Sequence, residues 1–163
     1  MKNYDLVIVG GGISGSVAAI AAARMGEKAL IIEGTGFLGG ALTSCGVGPM
    51  MTFHAGEKQV IKGITDELIE RMKKAGKSQG HIIDSTTYTY TVTPFDSEGM
   101  KYELECMLLE SGGEVLYHTM LTDVNVYEKK IESIEVCNKS GKSLLSAKVF
   151  IDATGDGDLA YWS

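Results

Sequence analysis

Apolar residues open the chain in two short runs separated by a helical pattern. Tyr4–Val9 and Lys28–Glu33 are rich in leucine, isoleucine and valine with little polar alternation, the pattern of parallel strands buried on both faces. Between them, Ile13–Met25 carries Ala18, Ala19, Ala21, Ala22 and Ala23. Side chains this small let a helix lie close against a sheet, and Gly26 supplies its stop signal. Strand, helix and strand within about 30 residues form a βαβ unit with a right-handed crossover.

The pattern then changes. Gly34–Phe53 is aperiodic and rich in small residues, which predicts a long ordered loop with a helical turn around Ala41–Ser44; loops of that length inside a compact domain are usually functional. Val60–Ala75 places Ile61, Ile64, Leu68, Ile69 and Met72 at helical spacing, an amphipathic helix. Ser78–Thr93 is polar and β-prone, a strand or hairpin whose partner the sequence does not identify, and a candidate substrate-side insertion. Asp96 or Ser97 caps a further helix through Glu110, which Gly112 and Gly113 end. Glu114–His118 follows as a third strand. Leu121–Tyr127, Ile131–Asn138 and Ser143–Lys148, split by the turns at 128–130 and 139–141, read as a three-stranded antiparallel meander whose last stretch runs into Val149–Asp152. The expected fold is α/β: a Rossmann-like dinucleotide-binding fold with a parallel sheet, helices and that meander.

With 163 residues, one domain is expected. Fifteen Lys+Arg against 21 Asp+Glu give a net charge of −6. Without a basic run, that balance argues against nucleic acid or an anionic membrane as the main partner. Cys45, Cys106 and Cys137 are too widely spaced for a CxxC motif, so reduced thiols and a cytoplasmic location are expected. No run is long enough for a signal-peptide core or a membrane span.

The 21 glycines cluster at Gly10, Gly11, Gly12 and Gly15 and again at Gly34, Gly36, Gly39 and Gly40, as where backbone approaches a ligand. Gly10-Gly11-Gly12-Ile13-Ser14-Gly15 fits G-x-G-x-x-G, follows a strand, opens a helix and is answered by Glu33, 23 residues after Gly10. Gly10 permits the tight turn, Gly12 lets amides reach a pyrophosphate, and Gly15 lets the helix pack on the strand. Glu33 accepts from both hydroxyls of an adenosine ribose. A carboxylate there repels a 2′-phosphate, and no arginine lies between Gly34 and Gly48 to receive one. NADP is therefore disfavoured, and NAD and FAD remain.

These motifs, with Gly39-Gly40 in Phe-Leu-Gly-Gly-Ala-Leu-Thr-Ser and the closing Ile-Asp-Ala-Thr-Gly-Asp-Gly-Asp-Leu-Ala at 151–160, resemble the N-terminal part of the FAD-dependent oxidoreductases of the glutathione-reductase-like, two-dinucleotide-binding-domain type. The resemblance implies FAD as cofactor and a small-molecule substrate. It also implies a cofactor-binding set of Gly10, Gly12, Ile13, Ser14, Gly15, Glu33, Gly34, Gly39, Gly40, Ala41, Thr43, Leu121, Ala153, Thr154 and Gly155. In this family the glycine doublet lies along the pyrophosphate, backbone around Leu121 lies near the adenine, and the Ala153-Thr154-Gly155 turn closes the adenosine side. Such enzymes are usually more than twice as long, so residues 1–163 are expected to be an incomplete FAD-binding domain that self-associates through surface left open.

No catalytic residue is assigned. Cys45, near the implied flavin edge, reads as a small loop residue because no second thiol or histidine stands at a motif spacing from it. His54, which follows the glycine-rich loop, and His81 and His118 read as ordinary polar residues. Asp156 and Asp158 lack further ligands for a metal, and Asp158 is expected to cap a helix beginning at Leu159. Two other functions fit the same residues: a flavin-dependent tRNA-modifying enzyme, which the acidic charge disfavours, and a non-catalytic adenine-dinucleotide-binding module.

Overall fold

The continuous apolar runs become the middle of a six-stranded sheet. In the computed structural model, which describes residues 2–163, β1 (Lys2–Val9) is followed by α1 (Ile13–Arg24) and β2 (Ala29–Ile32). Three two-residue strands, β3 (Met50–Met51), β4 (His54–Ala55) and β5 (Lys58–Gln59), precede α2 (Ile64–Lys74). Next come β6 (Ile82–Ile83), β7 (Thr91–Thr93) and α3 (Ser97–Glu110). Strands β8 (Glu114–Leu116), β9 (Met120–Tyr127), β10 (Lys130–Asn138) and β11 (Gly141–Asp152) lead to α4 (Asp158–Trp162). The large sheet has the order β8-β2-β1-β11-β10-β9, parallel from β8 to β11 and antiparallel beyond.

Alternation within the buried strands assigns two faces. Ile8 and Ile31 pack on Ile20 of α1, Leu68 of α2, and Leu104 and Met107 of α3. Val7, Val9, Leu30 and Ile32 pack on Val124, Ile134 and Val136 of the meander and Leu159 of α4. Cover on both sides accounts for runs without polar alternation. Each such fully buried aliphatic side chain is worth about 1.5–3 kcal/mol over exposure.

One strand ties the two halves together. β11 pairs antiparallel with β10 over Gly141–Leu145 and parallel with β1 over Leu145–Asp152, so the last meander strand and the last buried strand are one. The hairpin between β9 and β10 turns on Glu128 and Lys129, both at positive φ, the geometry of a two-residue primed turn. At the end of α1, Gly26 donates to Ala23 and Glu27 to Ala22, with Gly26 at φ 88°, a Schellman closure. Asp96 caps α3 by accepting from the Gly99 amide at 2.7 Å.

Three expectations need correction. The amphipathic helix begins at Ile64 and not Val60, because the amides of Val60 and Ile61 bond to the Phe53 carbonyl and Gly63 turns at φ 78°. The β-prone stretch 78–93 forms only β6 and β7, and its missing partner is β3 in the glycine-rich loop, giving a sheet of order β3-β7-β6. Finally, no side chain caps α4 from its first residue. Asp152 and Thr154 do the work together: Asp152 accepts from the Ala160 amide at 2.8 Å, and the Thr154 hydroxyl accepts from the Asp158 amide at 2.8 Å while donating to Asp152 at 2.7 Å. Burial raises the pKa of Asp152, but the bonds it accepts outweigh burial and hold the carboxyl below its ordinary value.

Candidate functional site

The ends of β1, β2 and β11 meet where the three glycine-rich segments leave the sheet. α1 starts at Gly12, and among the described residues no side chain caps its N-terminus and no acidic residue lies in its first turn. Its first amides and partial positive charge are therefore offered to an anion. Gly12 has room: a Cβ there would meet nothing nearer than the Gly40 Cα at 3.9 Å. Gly10 and Gly15 have none. A Cβ on Gly10, which sits at φ 104°, would run into the Ala153 carbonyl, and one on Gly15 would run into the Gly10 carbonyl.

Glu33 closes the loop from β2. Its Oε2 accepts from the Gly11 amide and its Oε1 from the Thr35 amide, both at 2.7 Å. A carboxylate offers about four acceptor positions, so acceptor capacity remains for ribose hydroxyls. The motif leaves position 11 unrestricted, yet a Cβ there would lie 2.9 Å from Glu33 Oε2 and 2.7 Å from Leu38 Cδ2. The unbroken run of three glycines, with Gly11 in the middle, was the available signal. Beside Glu33, Thr119 donates to its carbonyl at 3.0 Å and His118 donates to the Thr35 carbonyl at 2.9 Å. Exposed Met120 lies over Gly34 and the exposed His118 ring against Gly36. Neither was singled out for this place; the Gly34-x-Gly36 spacing alone hinted at it. Leu121 follows at the start of β9, paired with Val136, its side chain packed into the meander core.

The glycine doublet docks on the first loop. Gly39 bridges Gly12 and donates to the Gly11 carbonyl at 2.9 Å. Gly40 stands at φ 55°, where a Cβ would lie 2.9 Å from the Gly12 Cα. Ala41 is exposed in the single 3-10 turn Gly40–Leu42. Thr43 is buried, and its hydroxyl donates to the Leu38 carbonyl at 2.9 Å, so it props the doublet from behind. On the far side of Gly10, the Ala153 amide donates to Val9 at 2.8 Å. The Thr154 amide and hydroxyl both reach Asp152 Oδ1, and Gly155 faces open space among the described residues. Thus the sites read from sequence come together around one cradle, with Leu121 at its margin and Thr43 beneath it.

Next to the cradle is a cavity of about 580 Å³. Ile13, Leu42, Val47, Met50, Phe53 and Ile61 give it apolar walls, and the hydroxyl-bearing residues are Ser14, Thr52 and Thr65. The short strands of the loop build this wall, and the run Met50-Met51-Thr52-Phe53 was its only trace in the sequence. A slightly larger hollow of about 640 Å³ between Leu116 and the β10–β11 turn is lined by no residue of the glycine-rich segments 10–15, 34–40 or 153–157, and the Glu135 and Lys142 that line it are paired at 2.7 Å. Cys45 is an exposed free thiol. No cluster of three metal-ligating side chains occurs among the described residues, and none of their helices is long and apolar enough to cross a membrane.

The cradle fits a dinucleotide such as FAD: room at Gly12, amides at a helix start, and a carboxylate with capacity to spare. A family model described as FAD dependent oxidoreductase matches residues 5–163. A digeranylgeranylglycerophospholipid reductase of Thermoplasma volcanium is 25% identical over 179 aligned positions, covering all of this chain and 42% of that protein. A dihydrolipoyl dehydrogenase of Pseudomonas putida is 43% identical over 58 residues, 35% of this chain and 12% of that protein. Among solved structures, a geranylgeranyl bacteriochlorophyll reductase-like protein from Thermoplasma acidophilum superposes on 99% of this chain and 42% of its own, with TM-score 0.69 and 19% identity. The chain spans less than half the length of these relatives.

Proposed function

The chain belongs to the FAD-dependent oxidoreductases, whose cofactor it binds, and from that premise we propose that it grips FAD in the glycine cradle and presents the adjoining cavity to an apolar organic substrate. When bound, the flavin exchanges a hydride with that substrate; the chain's residues bind, orient and exclude water. The amides of the α1 first turn take the diphosphate, where helix partial charge favours anions. Gly12 lets the cofactor approach because it carries no Cβ, and Gly39 and Gly40 let the doublet dock closely on the first loop. Glu33, fixed by the amides of Gly11 and Thr35, accepts from the ribose hydroxyls, and the Ala153-Thr154-Gly155 turn shuts the cradle beyond Gly10. The cavity's walls, mostly apolar, favour a substrate with a hydrocarbon body.

The observation that carries this reading is the uncapped helix start facing a carboxylate whose acceptor sites are only half used. Glu33→Ala removes the ribose acceptor, so FAD is expected to bind about tenfold more weakly or worse, since each lost hydrogen bond to a charged group is worth roughly 1.5–3 kcal/mol. Calorimetric titration of the folded variant checks this; unchanged affinity would overturn the assignment of Glu33.

A further inference from the structure

On the cavity wall away from the cradle, imidazoles and hydroxyls from three segments converge. Thr52 lines the cavity, and its Oγ1 lies 2.8 Å from Thr91 Oγ1 on β7. Thr91 Oγ1 lies in turn 3.0 Å from His54 Nδ1 on β4. Thr91 is only 4% exposed, so its hydroxyl is an internal link. His54 is half-buried, and its Nε2 has no hydrogen-bond partner among the described residues. Every buried side-chain nitrogen or oxygen there does have one, so that edge of the ring is within reach of water.

The neighbouring His81 is committed elsewhere. Its Nδ1 is 2.7 Å from Thr93 Oγ1 and its Nε2 is 3.3 Å from Asp66 Oδ1, which also accepts from Gln59. His81 stacks on Phe53 and meets His54 edge-on with centroids 5.2 Å apart. It holds the His54 ring in place but lies off the hydroxyl chain. Three polar groups in a row, from an apolar cavity through a buried hydroxyl to a water-facing imidazole, form a path that packing alone does not call for: valine has nearly the shape of threonine without a buried hydroxyl to satisfy.

We propose that Thr52, Thr91 and His54 are a proton relay between the cavity and water, and that the cavity takes an apolar alcohol or amine whose O–H or N–H meets Thr52. The inference rests on the reading of the cavity as the substrate site. Oxidation of such a carbon sends its C–H pair as hydride to the family's flavin and leaves one proton on the heteroatom. As that O–H or N–H bond breaks, its electrons complete the C=O or C=N bond. The proton passes to Thr52 Oγ1 while the Thr52 proton moves to Thr91 Oγ1 and the Thr91 proton to His54 Nδ1. His54 then releases its Nε2 proton to water. Thr52 is the catalytic group here; Thr91 and His54 act through it.

The test uses umbelliferone, an apolar body with one phenolic hydroxyl whose fluorescence reports its protonation, bound to the FAD-loaded chain. After a pH jump, deprotonation of the bound probe is expected to slow about a hundredfold in Thr91→Val and in His54→Asn, the size of a typical acid–base contribution. Thr91→Ser, which keeps the hydroxyl, should restore the rate, and probe affinity should stay constant throughout. Equal rates in wild type and Thr91→Val would overturn the relay, as would a Thr91→Ser variant as slow as valine. Failure of umbelliferone to bind a chain that does hold FAD would overturn the cavity as its ligand site, whereas failure to hold FAD would instead overturn the cradle.

Discussion

At the residue scale, Gly10, Gly11, Gly15, Gly39 and Gly40 are places where a methyl group does not fit, while Gly12 leaves room. Gly15 is the clearest: it lies inside α1, where alanine would ordinarily gain about 1 kcal/mol of helix propensity, yet a Cβ would meet the Gly10 carbonyl. Backbone cannot swing aside as a side chain does, so the clash wins. Gly15→Ala is expected to destabilise the chain by about 3 kcal/mol, the upper range for overpacking, as read from urea unfolding; a neutral result would mean that α1 does not sit this close to β1. Glycines 10, 12 and 15 and Glu33 were legible from spacing because each has a distinct steric or charge reason. Gly11 was not, since its reason is the Glu33 carboxylate folding back onto it, a contact 22 residues away in the chain. Thr43 was legible as a loop residue, but not its orientation into its own loop.

At the element scale, helices and buried strands follow from local pattern, and the short strands do not. β3, β6 and β7 have two or three residues each and exist because they pair with one another across the loop, which no local period encodes. The same holds for α2, whose apolar period extends to Ile61 but whose helix waits for Gly63. Between β6 and β7, Asp84 organises the turn. It accepts from the amides of Thr89 and Thr86 and from both their hydroxyls, bonds that lower its pKa to about 2. A carboxyl depressed in the folded state lends stability in full above its unfolded value, near 3.9, and loses it as pH falls toward 2. The protection of the Thr86 and Thr89 amides against exchange, relative to an unstructured chain at the same pH, should therefore fall across that window in the wild type. In Asp84→Asn that protection should already be low and should not change with pH there; protected amides in the variant would contradict the assignment.

At the scale of the whole molecule, the parallel strands, the meander and the continuation of its last stretch into Val149–Asp152 were foreseen; the order of the large sheet was not, and it follows from β11 pairing with both β10 and β1. The wall of the cavity beside the cradle was not foreseen in detail, because it comes from a loop with no period. That side also carries exposed apolar groups: Met51 is 57%, Ile83 66% and Tyr88 81% exposed, around a small sheet whose β3 and β6 lie at its edges. Unprotected edges of this kind favour pairing, so light scattering is expected to show association that rises with concentration and weakens in Ile83→Lys. A monomer at every concentration would contradict it.

The central claim is that amides at the start of α1 hold a diphosphate while Glu33 holds the adjacent ribose. Competition against bound FAD tests it most directly, using ADP and its 2′-phosphorylated analogue, followed by recovery of flavin fluorescence. The account predicts that ADP displaces FAD, and that the 2′-phosphate weakens competition by about tenfold or more because the Glu33 carboxylate repels it. FAD that ADP does not displace, or equal competition by the two compounds, would contradict it.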